Sequence, residues 1–360
     1  MDNRTFSRIT FRCKKAVKIA AAMAVVAILI FGCKTPKKPH QRIGAFFGNP
    51  LGMSFPDPNH LGQHHFNSSW TEKNGMLYTR WGGFIDLAHL RESADRVLYL
   101  KEIAFGNIVN GQTDFSFRLI EPSSYTVTIH YPKDWASLPE EKKKEIADEV
   151  SICVGQYLAH TTAVWHEIVT WFGFASVPFF PENPSSFSWE DNYSDLLGVR
   201  LAGEAMRDKT RTFEQALTLL IDRQLRQLEV QPPDVAMRAE ETIKTKWFSR
   251  KRFTITMNKR NFDTGDNNGF ITPWLVPGIC PDSEPVPYPK PCLQTANKCG
   301  FSIDVTMNPT EKQSRTILAI AHPNRNAKYL RPSEDFSTIL EYIEKQAHKQ
   351  YGSQVDVPQL

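Results

Sequence analysis

The chain has 360 residues, of which 23% are charged and 11% aromatic, and its formal net charge is +4. A chain of this length and composition can bury a sizeable core, which excludes global disorder. The positive charge is concentrated in residues 1–32, which carry six basic side chains and one acidic side chain. The remaining chain is close to neutral, so nucleic acid is not an expected partner.

Residues 1–32 have the order of parts of a secretory signal peptide: a basic segment to Lys18, an apolar run and then Cys33. The apolar run is shorter than the about 20 residues that a membrane span needs. The LIFGC sequence ending at Cys33 looks like a lipobox, whose cysteine receives the lipid. With Lys34 next, we predict a bacterial lipoprotein, palmitate-type chains on Cys33, and anchoring in the outer membrane facing the periplasm. The alternative is an uncleaved signal anchor.

Four cysteines remain beyond the predicted lipidation site. Cys153 lies on a helical apolar stripe and is predicted to be a buried small hydrophobe. Cys280, Cys292 and Cys299 lie in a Pro-rich segment, and the predicted compartment permits disulfides. We expect one bridge among these three, with the pairing open.

The domain organisation follows from composition. Residues 33–66 are rich in Pro, Gly, Asn and His, which is typical of a tether, and their histidines are expected to be solvated. Residues 67–350 are predicted to form a single globular domain, and residues 351–360 a polar tail.

Hydrophobic periodicity places the elements within this domain. A helix is predicted from Phe84, after the glycine pair 82–83, and a β-hairpin from DFSFRLI and SYTVTIHY, joined by residues 121–124. A long helix is predicted from Pro139 to Gly173. Further predictions are helices over 188–206, 211–228, 234–250 and 334–350, and a strand at FSIDVTMN. The expected fold is α+β and mainly helical, with long central helices packed against a small β-hairpin or sheet.

The long helix contains His166 and Glu167, which begin the H-E-x-x-H zinc signature. In that signature two histidines one turn apart bind the metal and the glutamate activates a water molecule. Thr170 stands where the second histidine would be. The pair could therefore belong to a zinc site completed by another residue, to a site without metal, or to a chance match.

The next helix begins with Glu190 and Asp191 and continues to Asp195 and Gly198. Together with the His-Glu pair, this segment has a local and incomplete resemblance to the thermolysin-like zinc metallopeptidases. The resemblance implies that His166 binds zinc and that Glu167 is the general base. It also implies that Asp191 takes the place of the acidic ligand, and that Asp195 is the carboxylate that orients a ligating histidine.

His89 is the candidate for the missing zinc ligand. Asp86 and His89 are three residues apart, so in a helix they would share a face, and a carboxylate next to a histidine selects one tautomer. A structural hydrogen bond between the two is the alternative. His160 lies on the face of Glu167 and is expected to be a core histidine bonded to it, and Glu190 is a further polar neighbour.

Several longer motifs together resemble a bacterial family of predicted lipoproteins, catalogued only as domain of unknown function forty fifty-six. They are GGFIDLAHLR, WHEIVTWFG, SWEDNYSDLLG and PWLVPG, within a likeness that covers roughly residues 40–330. The resemblance implies a common polar site and no particular reaction.

Two functional hypotheses follow. The first is a periplasm-facing, metal-assisted hydrolase of peptide or peptidoglycan-type amides, in which His89, His166, Glu167 and Asp191 converge in a cleft. The second is a non-catalytic envelope lipoprotein with a structural or binding role, whose polar residues form a buried, mutually satisfied network.

Overall fold

The computed structural model describes residues 37–42, 53–175, 182–251 and 254–359. The chain divides into residues 1–37 and residues 38–360, and the description below concerns the second unit. The predicted signal peptide and Cys33 lie outside the described residues. Within the described ranges, none of the helices combines the length and apolar character needed to span a membrane.

The described elements confirm the mainly helical α+β class. Two 3-10 turns, at Trp135–Ser137 and Asn183–Ser185, accompany them. In chain order the helices and strands are β1 (Met76–Thr79), β2 (Gly83–Asp86), α1 (Leu87–Val109), β3 (Asp114–Phe117), β4 (Ser124–His130), α2 (Glu140–Trp171), α3 (Asp191–Arg207), α4 (Phe213–Gln227), α5 (Pro233–Ile243), β5 (Phe248–Lys251), β6 (Thr254–Met257), β7 (Phe270–Ile271), β8 (Tyr288–Pro289), α6 (Gln294–Lys298), β9 (Ser302–Asn308), α7 (Ser314–Ala321) and α8 (Pro332–Tyr351).

The first helix begins later than predicted, because residues 83–86 form strand β2, which pairs with β1. The Asp86 side chain accepts a hydrogen bond from the Ala88 N–H at 2.7 Å and caps α1 at its N-terminus. Gly83 has a φ of +61°, and a Cβ atom there would lie 2.0 Å from the Trp274 carbonyl oxygen. This close approach requires glycine.

The predicted hairpin is confirmed: β3 and β4 pair antiparallel, and β9 adds a third strand beside β4. The long helix α2 is also confirmed, since Pro139 precedes it and Gly173 follows its end with a φ of +97°. Two glycines let the long helices pack closely. A Cβ at Gly155 of α2 would lie 2.9 Å from the Val97 carbonyl oxygen of α1, and one at Gly198 of α3 would lie 2.0 Å from the Leu90 carbonyl oxygen.

A second, aromatic core explains why the predicted helix over 234–250 ends early. Trp189, Trp247 and Trp274 pack together, with ring centroids 5.2 Å and 5.5 Å apart between neighbours. Burial of Trp247 and Phe248 ends α5 at Ile243 and leads the chain into β5. The short helices α6 and α7 were not predicted.

The segment predicted as a tether contributes buried groups to the domain. His64 is fully buried, and its Nε2 atom lies 3.1 Å from Asp95 Oδ1. Arg42 donates to Asp95 at 2.7 Å and also pairs with Glu72. Buried charges persist in proteins only when they are paired, so this part of the chain is held to the domain rather than extended from it.

The predicted polar tail also packs onto the domain. Val355 is buried, and its carbonyl oxygen accepts a hydrogen bond from the Arg260 N–H at 2.7 Å. Burial of the apolar Val355 side chain is the physical reason for this difference.

The predicted disulfide is wrong, since all four cysteines of the described residues are free. Cys299 packs at the main core, Cys280 packs at the aromatic core, and Cys292 is exposed, so their environments differ. The prediction for Cys153 is confirmed: it is buried, and its thiol donates to the Cys292 carbonyl oxygen at 3.2 Å.

Candidate functional site

The first component of the site is an ion pair between two helix N-termini. Nδ1 of His89, in the first turn of α1, lies 2.9 Å from Oδ1 of Asp191, the first residue of α3. Although burial opposes protonation, the charges of Asp191 and Asp86 raise the pKa of His89 well above its ordinary value. The other Asp191 oxygen accepts from the Ser188 N–H at 3.2 Å. One third of the His89 side chain is exposed, so the imidazole is held by the protein and still reaches solvent.

A second histidine is held in the same way. Nδ1 of His166, on α2, lies 2.8 Å from Oε1 of Glu121, which is buried in the loop between β3 and β4. Burial disfavours the charged imidazole, but its hydrogen bond to Glu121 raises the pKa of His166 to about 9. The same pairing lowers the pKa of Glu121 despite its burial.

Glu167 lies on α2 beside this histidine and is buried. Burial and the charge of Asp191 raise the pKa of Glu167 to about 7, while His166 and His89 act in the opposite direction. Its Oε2 atom accepts a hydrogen bond from the Phe187 N–H. Phe187 has a φ of +53°, an uncommon conformation for a residue with a side chain, and its turn directs the N–H at the carboxylate.

The remaining predicted acids lie around these groups in other roles. Asp195 accepts a hydrogen bond from Ser93 Oγ at 2.6 Å, and burial raises its pKa. Asp195 therefore bonds to a serine, whereas the carboxylates that pair with the two histidines are Asp191, with His89, and Glu121, with His166. Glu190 accepts a hydrogen bond from the Ser188 hydroxyl, and burial and Asp191 raise its pKa well above the ordinary value.

The predicted pairing of Asp86 with His89 through a shared helix face is corrected. Asp86 precedes α1 and caps it, so only His89 of the two lies within the helix. Its charge still acts on the imidazole, as the pKa of His89 shows.

His160 is a core histidine, as expected, but its hydrogen-bond partner differs. Its Nε2 donates to the Thr264 carbonyl oxygen at 3.3 Å, rather than to Glu167. Burial and the positive charge of Lys290 lower the pKa of His160 to about 4, so the imidazole is neutral at pH 7.

The three predicted zinc ligands do not surround a common point. A single zinc ion lies about 2.0–2.2 Å from nitrogen and oxygen ligands, which brings their donor atoms close together. Within the described ranges, the group of three possible ligands with donor atoms within 4.8 Å of one another is Glu344, His348 and Asp356. His89, His166 and Asp191 do not meet this condition, so in this geometry they do not fit one zinc ion.

Sequence reasoning missed three charged residues at the site. The sequence contains no local pattern that identifies Glu121 as a site residue, because its partner, His166, is 45 residues away in the chain. Arg96 forms an ion pair with Glu92, one turn earlier on α1, a spacing that could have identified the pair. Arg260 is fully buried between aromatic rings, with its guanidinium carbon 5.1 Å from the centroids of Trp171 and Tyr351. Its charge acts on Glu167 and Asp191 as well.

The fold and site define a class: a mainly helical α+β protein in which two carboxylate-paired histidines and a buried glutamate influence one another's ionisation. The chain belongs to the family described as "Protein of unknown function (DUF4056)", whose model matches residues 54–273, more than half of the chain. The matched range includes both histidine–carboxylate pairs and Glu167. No curated protein and no solved structure matches the chain.

Proposed function

We propose that the protein is a hydrolase in which Glu167 is the acid–base group and His89 and His166 are its charged neighbours. The observation that carries the proposal is the position of Glu167, buried next to His166 on α2, where burial and the charge of Asp191 raise its pKa to about 7. A carboxyl group whose pKa lies near the working pH can accept a proton from water and return it to a leaving group.

The two histidines have roles that follow from their pairing. Asp191 and Glu121 each occupy an Nδ1 atom, which leaves the Nε2 atom of each imidazole for a substrate. With a pKa of about 9, His166 is cationic at pH 7. A fixed positive charge stabilises the negative charge that develops on a carbonyl oxygen during attack by water. Amide bonds of peptides or of peptidoglycan are the proposed substrates, because the predicted envelope location supplies them.

Zinc binding by His89 and His166 stays a prediction. Each imidazole has the carboxylate partner that zinc-bound histidines commonly have. Bringing both Nε2 atoms and a third ligand to one ion requires movement from the present geometry. Elemental mass spectrometry of the purified full-length chain and of His166→Ala tests this, with one zinc ion fewer per chain in the variant than in the wild type as the positive result.

A second candidate is a non-catalytic envelope lipoprotein with a structural or binding role. The observation that favours it is hydrogen bonding within the cluster. Glu167, Glu190, Asp191 and Asp195 are largely buried, and each accepts a hydrogen bond from a neighbouring main-chain or hydroxyl group. Such a network stabilises a fold without any reaction.

The experiment that separates the two candidates compares Glu167→Gln with Glu145→Gln. Both residues lie on α2, but Glu145 pairs with Lys142 at the surface. We expect the intact protein to release soluble fragments from purified peptidoglycan or fluorogenic peptide amides. Glu167→Gln should lose about 100-fold or more of that rate, and Glu145→Gln should retain it. Equal rates in the two variants, or no hydrolysis by folded wild-type protein, would favour the structural role.

We also propose that Cys33 carries the lipid that anchors the protein to the bacterial envelope. The support is the order of basic segment, apolar run and cysteine in the sequence. Metabolic labelling with palmitate, followed by membrane fractionation, tests it. The label and the membrane association should both be lost in Cys33→Ser, whereas Cys13→Ser should keep both.

A further inference from the structure

We infer that Glu344, His348 and Asp356 form a divalent-cation site, separate from the proposed catalytic cluster. One donor atom from each residue lies within 4.8 Å of the other two. Glu344 and His348 are four residues apart on α8 and share a helix face. Asp356 comes from the segment after the helix, and its Oδ2 lies 3.0 Å from Nε2 of His348.

The chain path brings Asp356 back to the helix. Gly352 follows α8 with a φ of +96°, which favours glycine, and its N–H donates to the His348 carbonyl oxygen at 2.9 Å. Val355 then inserts into the core. The reversal places the aspartate beside the last turns of the helix.

The main chain on both sides of Asp356 is held in place. Lys259 donates through Nζ to the carbonyl oxygens of Gln354 and Val357, at 2.7 Å and 2.8 Å. The Arg260 N–H donates to the Val355 carbonyl oxygen. A ligand on a fixed backbone loses less conformational entropy when it binds an ion, so this site is preorganised.

The side chains leave bonding capacity that a cation would satisfy. The His348 Nε2 atom is inaccessible to solvent and makes no hydrogen bond of acceptable geometry, although it lies beside the Asp356 carboxylate. An ion between these groups would be bound by the imidazole and both carboxylates, whose donor atoms lie within 4.8 Å of one another.

The ligand set indicates which ion the site takes. One imidazole nitrogen with two carboxylate oxygens suits Zn²⁺, whereas Ca²⁺ and Mg²⁺ prefer oxygen ligands throughout. Asp356 is one quarter exposed and His348 about two fifths exposed, at 25% and 38%, so water can complete the coordination. Because the site joins α8 to the following segment, the bound ion would stabilise that segment.

Zinc titration of the purified full-length chain, with elemental mass spectrometry after dialysis, tests the site. The ligand variants are His348→Gln and Asp356→Asn. The matched control is Glu341→Gln, which removes an exposed acid that pairs with Lys345 on the same helix. We expect about one zinc ion per chain in wild type and control, a zinc-dependent rise in the melting temperature, and at least about tenfold weaker binding in both ligand variants.

Three results would overturn the inference: no retained zinc in the wild type, unchanged affinity in both ligand variants, or displacement by an equal concentration of Ca²⁺. X-ray absorption at the zinc edge of the wild type tests whether the free cysteines bind the zinc instead, since the method distinguishes nitrogen and oxygen ligands from sulfur ligands. His166→Ala distinguishes this site from the proposed catalytic cluster, because that variant should bind zinc here as the wild type does.

Discussion

Nδ1 of His89 lies 2.9 Å from Oδ1 of Asp191, and this ion pair joins the first turns of α1 and α3. The same two helices approach backbone to backbone two turns further along α3, where Gly198 lies against the Leu90 carbonyl oxygen. Leu90 directly follows His89 in the chain. The glycine contact therefore sets the helix separation at which the histidine and the aspartate can pair.

Gly198→Ala should lower the stability of the fold. An added Cβ would lie 2.0 Å from the Leu90 carbonyl oxygen, so the helices must move apart. We expect a loss of about 1–3 kcal/mol in the free energy of unfolding, measured by urea denaturation. Gly106→Ala on α1 is the control, because its Cβ meets no atom within 4 Å, and there we expect a gain of up to about 1 kcal/mol. Equal effects of the two substitutions would contradict the packing argument.

Asp191→Asn should lower the pKa of His89. The negative charge of Asp191 is the main influence that raises this pKa against the effect of burial. NMR titration of the imidazole resonances measures the shift. Asp304→Asn is a control that removes a surface carboxylate 3.0 Å from His130, and it should leave the His89 titration unchanged. A His89 pKa that is the same in Asp191→Asn and wild type would show that the pairing does not form in solution.

Glu167→Gln should change how stability depends on pH. The folded-state pKa is about 7 and the ordinary value is 4.5, so between these values the unfolded chain loses the proton while the folded chain keeps it. Wild-type stability should therefore fall as pH rises from 4.5 to 7, by at most about 3 kcal/mol. The glutamine variant lacks this contribution, so its stability relative to wild type should increase across that window. Parallel curves of unfolding free energy against pH would refute the assignment.

His160→Gln should show the opposite pH dependence. The pKa of His160 is lowered from 6.5 to about 4, so between these values the unfolded chain binds a proton that the folded chain does not. Wild-type stability should fall as pH decreases from 6.5 to 4, by at most about 3 kcal/mol. The glutamine side chain can still donate a hydrogen bond to the Thr264 carbonyl oxygen. The stability of His160→Gln should therefore not fall in this way between pH 6.5 and pH 4. Urea unfolding at pH 4.5 and pH 7.5 provides the measurement.

The elements that were predicted well have strong local signals. The long α2 helix has a proline at its start, a glycine after its end and a continuous apolar stripe between them. The strands β3, β4 and β9 alternate buried and more exposed residues along their length. In contrast, β2 is a four-residue strand that is buried throughout, and its short apolar sequence runs into the helical pattern of α1.

The candidate site was predicted in part. His166 and Glu167 were identified by their adjacency, and Asp191 by its place at the start of the next helix. The partner of His166 is Glu121, and the N–H that binds Glu167 belongs to Phe187, 20 residues further along. Neither partner could be predicted from its distance along the chain, because tertiary packing places both of them next to the site.

The sequence by itself determined the periodic helices, the hairpin, the family and the residue types available for acid–base chemistry, because propensity, periodicity and motif are local properties. Tertiary structure alone decided which carboxylate holds which histidine, that the described parts of the predicted tether and tail pack onto the domain, and that Glu344, His348 and Asp356 meet. Those outcomes depend on burial and on charges from distant parts of the chain. The pKa of Glu167 is the clearest case, because its causes come from α1, α2 and α3 together.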